Sequence, residues 1–343
     1  KTGVPYDGTL TAADGKGKWW DGLDPQKLYA QNHPLTRASW ADGTIHSQWA
    51  WGNGATPPSE EFCTNFYNRT LDVVNRYKPD LLYFDVTGVP FYPVSDAGLK
   101  IAAHFYNSNM ALNGGDLRAV MFGKILTEEQ KKALVWDVER GAPNNIVPDP
   151  WQSCSCIGGW HYDTSIYENN AYKSAPTVIK LLADIVSKNG NLLLSIPLRA
   201  DGTFDEKEEA VLHGIGKWMG INSEAIFSTR PWQVFGEGPV AEADIAIKAQ
   251  GFNEGEYARM GSREIRFTQT PKHIYAIVLD WPEDNKVLIK SLAAGSPNVK
   301  GKIKNVELLG YGKLKATHTA EGLAVELPTG HDYRTVPVLR IKK

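Results

Sequence analysis

From Cys63 onward the sequence alternates between two hydrophobic periods, and that alternation admits few architectures. Cys63, Phe66, Tyr67, Val74 and Tyr77 recur at helical spacing in a segment that ends at Lys78-Pro79. Leu81-Leu82-Tyr83-Phe84 follows as a short unbroken apolar run, the pattern of a strand buried on both faces. The exchange then repeats. The spacing predicts a helix over 93–110 with Ser95 as its cap, and a strand over 117–122. Thr127-Glu128-Glu129-Gln130 opens another helix with a capping-box arrangement, and 134–138 is again strand-like. Residues 174–188 form an amphipathic helix with Val178, Leu181, Leu182, Ile185 and Val186 on one face and Gly190 just past its end. A second buried strand over 192–196 and a helix over 206–219 complete the series.

Helices that alternate with fully apolar strands require a parallel sheet with the helices outside it. Long loops follow the strands here, and polar residues sit at the strands' C-terminal ends. That favours an α/β fold built as part of a (β/α)8 TIM-like barrel over an open doubly wound sheet. No G-x-G-x-x-G follows a strand, which counts against a dinucleotide fold. After about Trp232 the pattern becomes short β-type runs separated by Gly, Pro, Asn or Asp, at 264–267, 274–279, 286–289, 306–309, 323–327 and 336–341. The expected organisation is a barrel over 1–230, which carries the chemistry, and a small antiparallel β-sandwich over 231–343. A length of 343 residues suits two domains. The first 60 residues, rich in Gly, Trp, Pro and Asp, read as long structured loops.

Composition removes several functions. Hydrophobic residues at 42% and charged residues at 22% describe a globular chain rather than a disordered one. A net charge of −2 gives no basis for nucleic-acid partners or an anionic membrane surface. No apolar run approaches the roughly 20 residues of a spanning helix. Cys63, Cys154 and Cys156 are too few for a disulfide framework, and the Cys154/Cys156 spacing is not that of a zinc or redox site. There is no H-x-x-x-H, no EF-hand ladder and no G-x-S-x-G elbow, so neither a metal nor another cofactor is expected. The 11 Trp and 14 Tyr fit either a large core or a sugar pocket.

Two carboxylates close strand-like runs. Asp85 ends the first, where it is either a turn cap or a rigidly held group at a barrel mouth. Glu139, in Glu139-Arg140, ends the run over 134–138 and is either a surface charge or a second catalytic acid. They lie 54 residues apart, about two βα units. A retaining glycosidase needs two carboxyl groups about 5–5.5 Å apart, one to attack the anomeric carbon and one to serve as acid and then base. Residues 151–162, loaded with aromatics, read as a long loop able to wall such a pocket. His161 and Tyr162 fit equally well as satisfied, partly buried side chains.

Lys78-Pro79-Asp80-Leu81-Leu82-Tyr83-Phe84-Asp85 resembles the nucleophile strand of the family 29 α-L-fucosidases. So do Trp151 to Tyr162, Asn189 to Pro197 with Asp201-Gly202, the helix from Glu206 to Trp218 and Ile221 to Ile226. The resemblance covers roughly residues 15–240 in five ordered blocks. It implies a retaining, metal-free exo-hydrolase that removes terminal α-linked L-fucose from oligosaccharides or glycoconjugates. It implies Asp85 as nucleophile. Many members carry Trp-Glu where this chain has Trp151-Gln152, so the acid/base passes to Glu139, with Asp149 behind it. Tyr83, Arg140, Trp160 and His161 are the implied sugar contacts, and either Arg140 or Lys124 supplies a cation near the nucleophile. Family barrels begin with strands bearing a His and a His-His pair. None is recognisable here, so the chain is expected to hold barrel strands four to eight and to be inactive alone. The substrate class implies a periplasmic or secreted protein. Two other functions remain: a retaining barrel glycosidase for another sugar, and a non-catalytic carbohydrate-binding protein, which the Gln152 departure motivates.

Overall fold

The computed structural model describes residues 11–23, 58–87, 89–243, 254–299, 301–330 and 335–342. The loop reading of residues 24–57 lies outside them. The architecture is a parallel, partial TIM-like barrel sheet followed by antiparallel sheets. The chain forms two compact units, 1–136 and 137–343.

In the first unit, helix α1 (Glu60–Tyr77) precedes strand β1 (Leu81–Thr87), and helix α2 (Ala97–Leu112) precedes β2 (Val120–Lys124). The Ser59 hydroxyl accepts from the Phe62 amide at 3.1 Å, and Glu60 and Glu61 complement the helix N-terminus. Lys78 closes α1 in the left-handed conformation at φ 48°. β1 runs parallel to β2, and β2 to the start of β3 (Val135–Glu139). Phe105, Met121, Val74 and Leu134 form the core, with Leu82 and Phe84 packed against it.

Three expectations fail in this unit. β1 is not buried on both faces: Leu81 is exposed and Leu82 to Phe84 are half-buried. Among the described residues its only strand partner is β2. α2 begins at Ala97 rather than 93, because 91–94 form a turn; Ser95 accepts from Ala97 N at 3.2 Å, but Asp96 occupies the cap position. The Thr127–Gln130 capping box forms, with Thr127 N to Gln130 Oε1 at 2.9 Å and Gln130 N to Thr127 Oγ1 at 3.3 Å. It opens only a 3-10 turn (Gln130–Lys132), since β3 starts three residues later.

In the second unit, the end of β3 pairs in parallel with β4 (Trp151–Cys156), and β4 with β5 (Gly190–Ser195). The short helix α3 (Thr164–Glu168) and then α4 (Ala175–Ser187) lie between β4 and β5. Ser174 caps α4 through the Thr177 amide. Asn189, at φ 73°, takes the left-handed position after α4 that Gly190 was expected to fill. Gly190 has another reason to lack a side chain: a Cβ there would lie 2.5 Å from the Trp151 ring. β5 is less buried than expected, with Leu193 exposed.

Helix α5 (Glu206–Asn222) starts with a complete Asp205/Glu208 capping box. Its buried Trp218 donates to the Val336 carbonyl at 2.7 Å, fastening the helix to the β region. That region packs a six-stranded sheet, β11-β10-β14-β8-β7-β6, with a three-stranded one, β12-β13-β9. Its strands are β6 (Arg230–Glu237), β7 (Ile265–Gln269), β8 (His273–Val278), β9 (Lys286–Ile289), β10 (Asn305–Leu308), β11 (Gly312–Lys313), β12 (Ala316–His318), β13 (Leu323–Glu326) and β14 (Val338–Lys342). Phe267, Ala276, Val278, Ile289 and Leu339 are fully buried in its core. The six runs expected from sequence are all strands. β6, β11 and β12 were not expected.

A buried ion cluster joins α4 to β7. Asp184 accepts from Arg266 Nε at 2.5 Å, Lys188 Nζ at 2.7 Å and the Tyr257 hydroxyl at 2.7 Å. Burial alone would raise the Asp184 carboxyl, yet the cations of Lys188 and Arg266 hold it well below its ordinary range. At Lys188 burial dominates, and its ammonium lies below its usual value.

Candidate active site

Asp85 and Lys124 stand near the C-terminal ends of neighbouring parallel strands. The pairing shifts register between Phe84 and Thr87, and Thr87 faces Lys124. Lys124 is buried along its stem, and its Nζ reaches Asp85 Oδ1 at 2.5 Å. The Asp85 side chain is 72% exposed, so a fixed cation holds one oxygen while the carboxylate faces solvent. Lys124, one of the two candidate cations, thus contacts Asp85 directly. Tyr83, two residues earlier on β1, is half-buried, with its ring 6.3 Å from that of Phe122. It borders a groove of about 660 Å³ between α1 and β1.

In the second unit, Glu139 is the half-buried last residue of β3, opposite Cys154. Arg140 leaves the strand in the left-handed conformation at φ 50°, strain of about 1 kcal/mol for a side-chain-bearing residue. Its amide continues the ladder onto the Cys154 carbonyl at 2.8 Å, and Ser153 Oγ grips the Gly141 carbonyl at 2.7 Å. The Arg140 guanidinium turns to Glu254, Nε to Oε1 at 2.5 Å. Burial opposes its charge, but the Glu254 carboxylate outweighs that and raises its pKa.

Glu254 had no signal in the local sequence. It lies in a 3-10 turn (Glu254–Arg259), 114 residues from Arg140, and its side chain is 4% exposed. Besides Arg140 it receives the Ser155 hydroxyl and Lys173 Nζ, the latter at 3.0 Å. Burial pushes its carboxyl up, and Ser155, Lys173 and Arg140 together bring it below the usual range. Lys173 also donates to the Cys156 carbonyl at 2.5 Å. Burial raises the Cys156 thiol.

Residues 151–156, expected as loop, are a buried strand. Gln152 Nε2 donates to Asp137 Oδ1 at 2.7 Å, and Cys154 Sγ approaches Asp137 Oδ2 at 3.0 Å. Only the following residues form a loop, where Trp160 and His161 are exposed. A Cβ on Gly158 would press on Tyr172 and Ile166, so this loop sits close against α3. The Arg199 guanidinium lies 5.9 Å from the Tyr162 ring centre. Asp149 is exposed before β4 begins, at the opposite strand end from Glu139. Among the described residues no cluster of three or more His, Cys, Asp or Glu could hold a metal ion, and no helix is long and apolar enough to cross a membrane.

Parallel βα units with carboxylates at strand C-terminal ends, followed by an antiparallel sandwich, define a βα-barrel protein with an appended β domain. The chain belongs to the α-L-fucosidase family: the profile described as Alpha-L-fucosidase matches residues 26–224, and that described as Alpha-L-fucosidase C-terminal domain matches 260–342. It is similar to the plasma alpha-L-fucosidase of Rattus norvegicus, with 28% identity over 271 residues, 75% of this chain and 50% of that protein. The chain thus spans about half the length of that relative. Its fold is similar to that of Thermotoga maritima alpha-fucosidase in complex with a mechanism-based inhibitor, with TM-score 0.60 and 21% identity, covering 84% of this chain and 58% of the other. It is also similar to a trapped covalent intermediate of a Bacteroides thetaiotaomicron alpha-L-fucosidase, with TM-score 0.58 and 18% identity, covering 83% and 63%.

Proposed function

We propose that the complete gene product hydrolyses terminal α-L-fucose from oligosaccharides or glycoconjugates with retention of anomeric configuration. An Asp85 oxygen attacks the anomeric carbon while Glu139 protonates the departing glycosidic oxygen. Glu139 then takes a proton from water, whose oxygen displaces Asp85 and releases fucose. The observation that carries this reading is the exposed Asp85 carboxylate, fixed through one oxygen by the buried Lys124. The trapped intermediate of the Bacteroides relative supports the covalent route by analogy.

Tyr83, Arg140, Trp160 and His161 are the proposed sugar contacts, Trp160 by offering an exposed ring to the apolar face of fucose. Gln152 is a buried hydrogen-bond partner of Asp137, a packing role consistent with Glu139 rather than residue 152 serving as the acid/base. We read 1–230 as the catalytic domain and 231–343 as the sandwich, supported by β6 opening the six-stranded sheet at Arg230. Periplasmic or secreted placement draws support from a plasma relative.

The test is Asp85→Gly in the complete gene product, assayed on 4-nitrophenyl α-L-fucoside with azide. Recovery of a fucosyl azide supports the reading. A fully active Asp85→Gly protein, or preference for a non-fucoside in an aryl-glycoside panel, overturns it.

A further inference from the structure

We propose that the sandwich carries a carbohydrate-binding cleft of its own, beside Trp281, which takes a neutral oligosaccharide and shares no residue with the proposed active site. β6 is the end strand of the six-stranded sheet and β9 that of the three-stranded one. Where these two edges meet, a cleft of about 950 Å³ opens, within the roughly 300–1,000 Å³ of small-ligand sites. Its walls are fixed. The buried Glu237 carboxylate, at the end of β6, accepts from the Lys290 amide at 2.8 Å and the Ser291 amide at 2.7 Å, which ties the two edges together. Gly238 follows at φ 120°, and a Cβ there would lie 2.4 Å from the Arg263 carbonyl, so the chain passes that close only as glycine.

The lining suits a sugar. Trp281 supplies aromatic surface for the C–H face of a pyranose ring. The indole is held before any ligand arrives: Nε1 donates to Asn285 Oδ1 at 2.8 Å, the Trp281 amide donates to Asp280 Oδ1 at 2.8 Å, and the side chain packs on the sandwich core. A platform already fixed loses little side-chain entropy on binding. Arg263, Glu283 and Lys286 also line the cleft and are exposed. Sugar hydroxyls both donate and accept, so one neutral ligand can use cations and carboxylates together. An anionic ligand would meet Glu242, Asp280, Glu283 and Asp284, and a cationic one Arg263, Lys286 and Lys290. A peptide added as a strand would gain few ladder bonds, because β9 is four residues long and Glu237 takes the amides just beyond it.

The experiment titrates the complete gene product calorimetrically with lactose, N-acetyllactosamine and cellotriose, none of which carries fucose, and with 3′-sulfated lactose. The expected result is binding of at least one of the neutral oligosaccharides, weakened about tenfold when Arg263→Ala and Glu283→Ala are combined, since both charge-assisted hydrogen bonds are lost. Both side chains are exposed, so the variant should keep its fold, and its turnover of 4-nitrophenyl α-L-fucoside should match wild type. If wild type does not turn over that fucoside, the proposed function fails while the titration still decides the cleft. Trp281→Phe is the second variant: it keeps a ring on the core, presents less aromatic surface and should weaken binding severalfold. No binding by any of the three neutral oligosaccharides, equal affinity in wild type and both variants, or tighter binding of the sulfated lactose than of lactose overturns the inference. A Thr-Val hexapeptide is the strand-addition control, and its binding in place of the sugars overturns the inference as well.

Discussion

The Gln152 amide and the Asp137 carboxylate, 2.7 Å apart and both buried, form a hydrogen bond between neighbouring parallel strands in register. A glutamate at 152, the residue many family members carry, would meet a like charge there. Gln152→Glu is therefore expected to destabilise by on the order of 2–3 kcal/mol at pH 7. Two carboxylates so close share a proton, so the pair's folded proton affinity is raised. A raised carboxyl pKa confers stability at low pH and loses it as pH rises. The variant's melting temperature should thus approach wild type at pH 4 and fall behind at pH 7. Equal deficits at both pH values would sink the argument.

Lys124→Met tests the clamp on Asp85. The fixed ammonium favours the geometry of attack, so its loss should lower kcat/KM on 4-nitrophenyl α-L-fucoside about a hundredfold. Folding should be nearly unaffected, because Asp85 is largely exposed and returns to water when unpaired. Unchanged turnover with a lower melting temperature would make Lys124 a structural residue.

How much of this was legible in the sequence depended on the range of the contacts. α1, α4 and α5 carried periodic stripes and local caps, and six sandwich strands were visible as apolar runs. β4 was not, because five of its six residues are Gln, Ser or Cys, which hydropathy reads as loop. Those side chains are buried only because Asp137, the Gly141 carbonyl, the Gly158 carbonyl and Glu254 take their hydrogen bonds. β11 and β12, short and exposed, lack any hydrophobic pattern. Asp85 and Glu139 were visible as charges ending apolar runs. Glu254 belongs to an irregular turn, and its partners Ser155 and Arg140 lie about a hundred residues away.

Trp160→Ala separates recognition from folding. The ring is 39% exposed, so its removal should leave the melting temperature within about 1 °C of wild type. If it packs against fucose, KM should rise about tenfold with little change in kcat, the signature of lost uniform binding. An unaltered KM would take Trp160 out of the sugar pocket.

Asp184→Asn should be the most damaging of these substitutions to stability, because it leaves two buried cations, Arg266 and Lys188, with the single buried carboxylate of Glu264 on Arg266. Breaking a buried pair in this way costs about 3–5 kcal/mol. The pH dependence carries a distinct sign. Asp184 has a depressed folded pKa, so its contribution is fully present above its unfolded value, about 3.9, and is lost as pH falls toward the folded one. Glu254, also depressed, adds to the same window above its own unfolded value, about 4.3. Wild type should therefore lose stability steeply below about pH 4, and Asp184→Asn, already lacking that contribution, should show a shallower acid limb. Chemical denaturation between pH 3 and pH 7 reads both slopes. Parallel slopes for the two proteins would mean that another carboxylate governs acid unfolding.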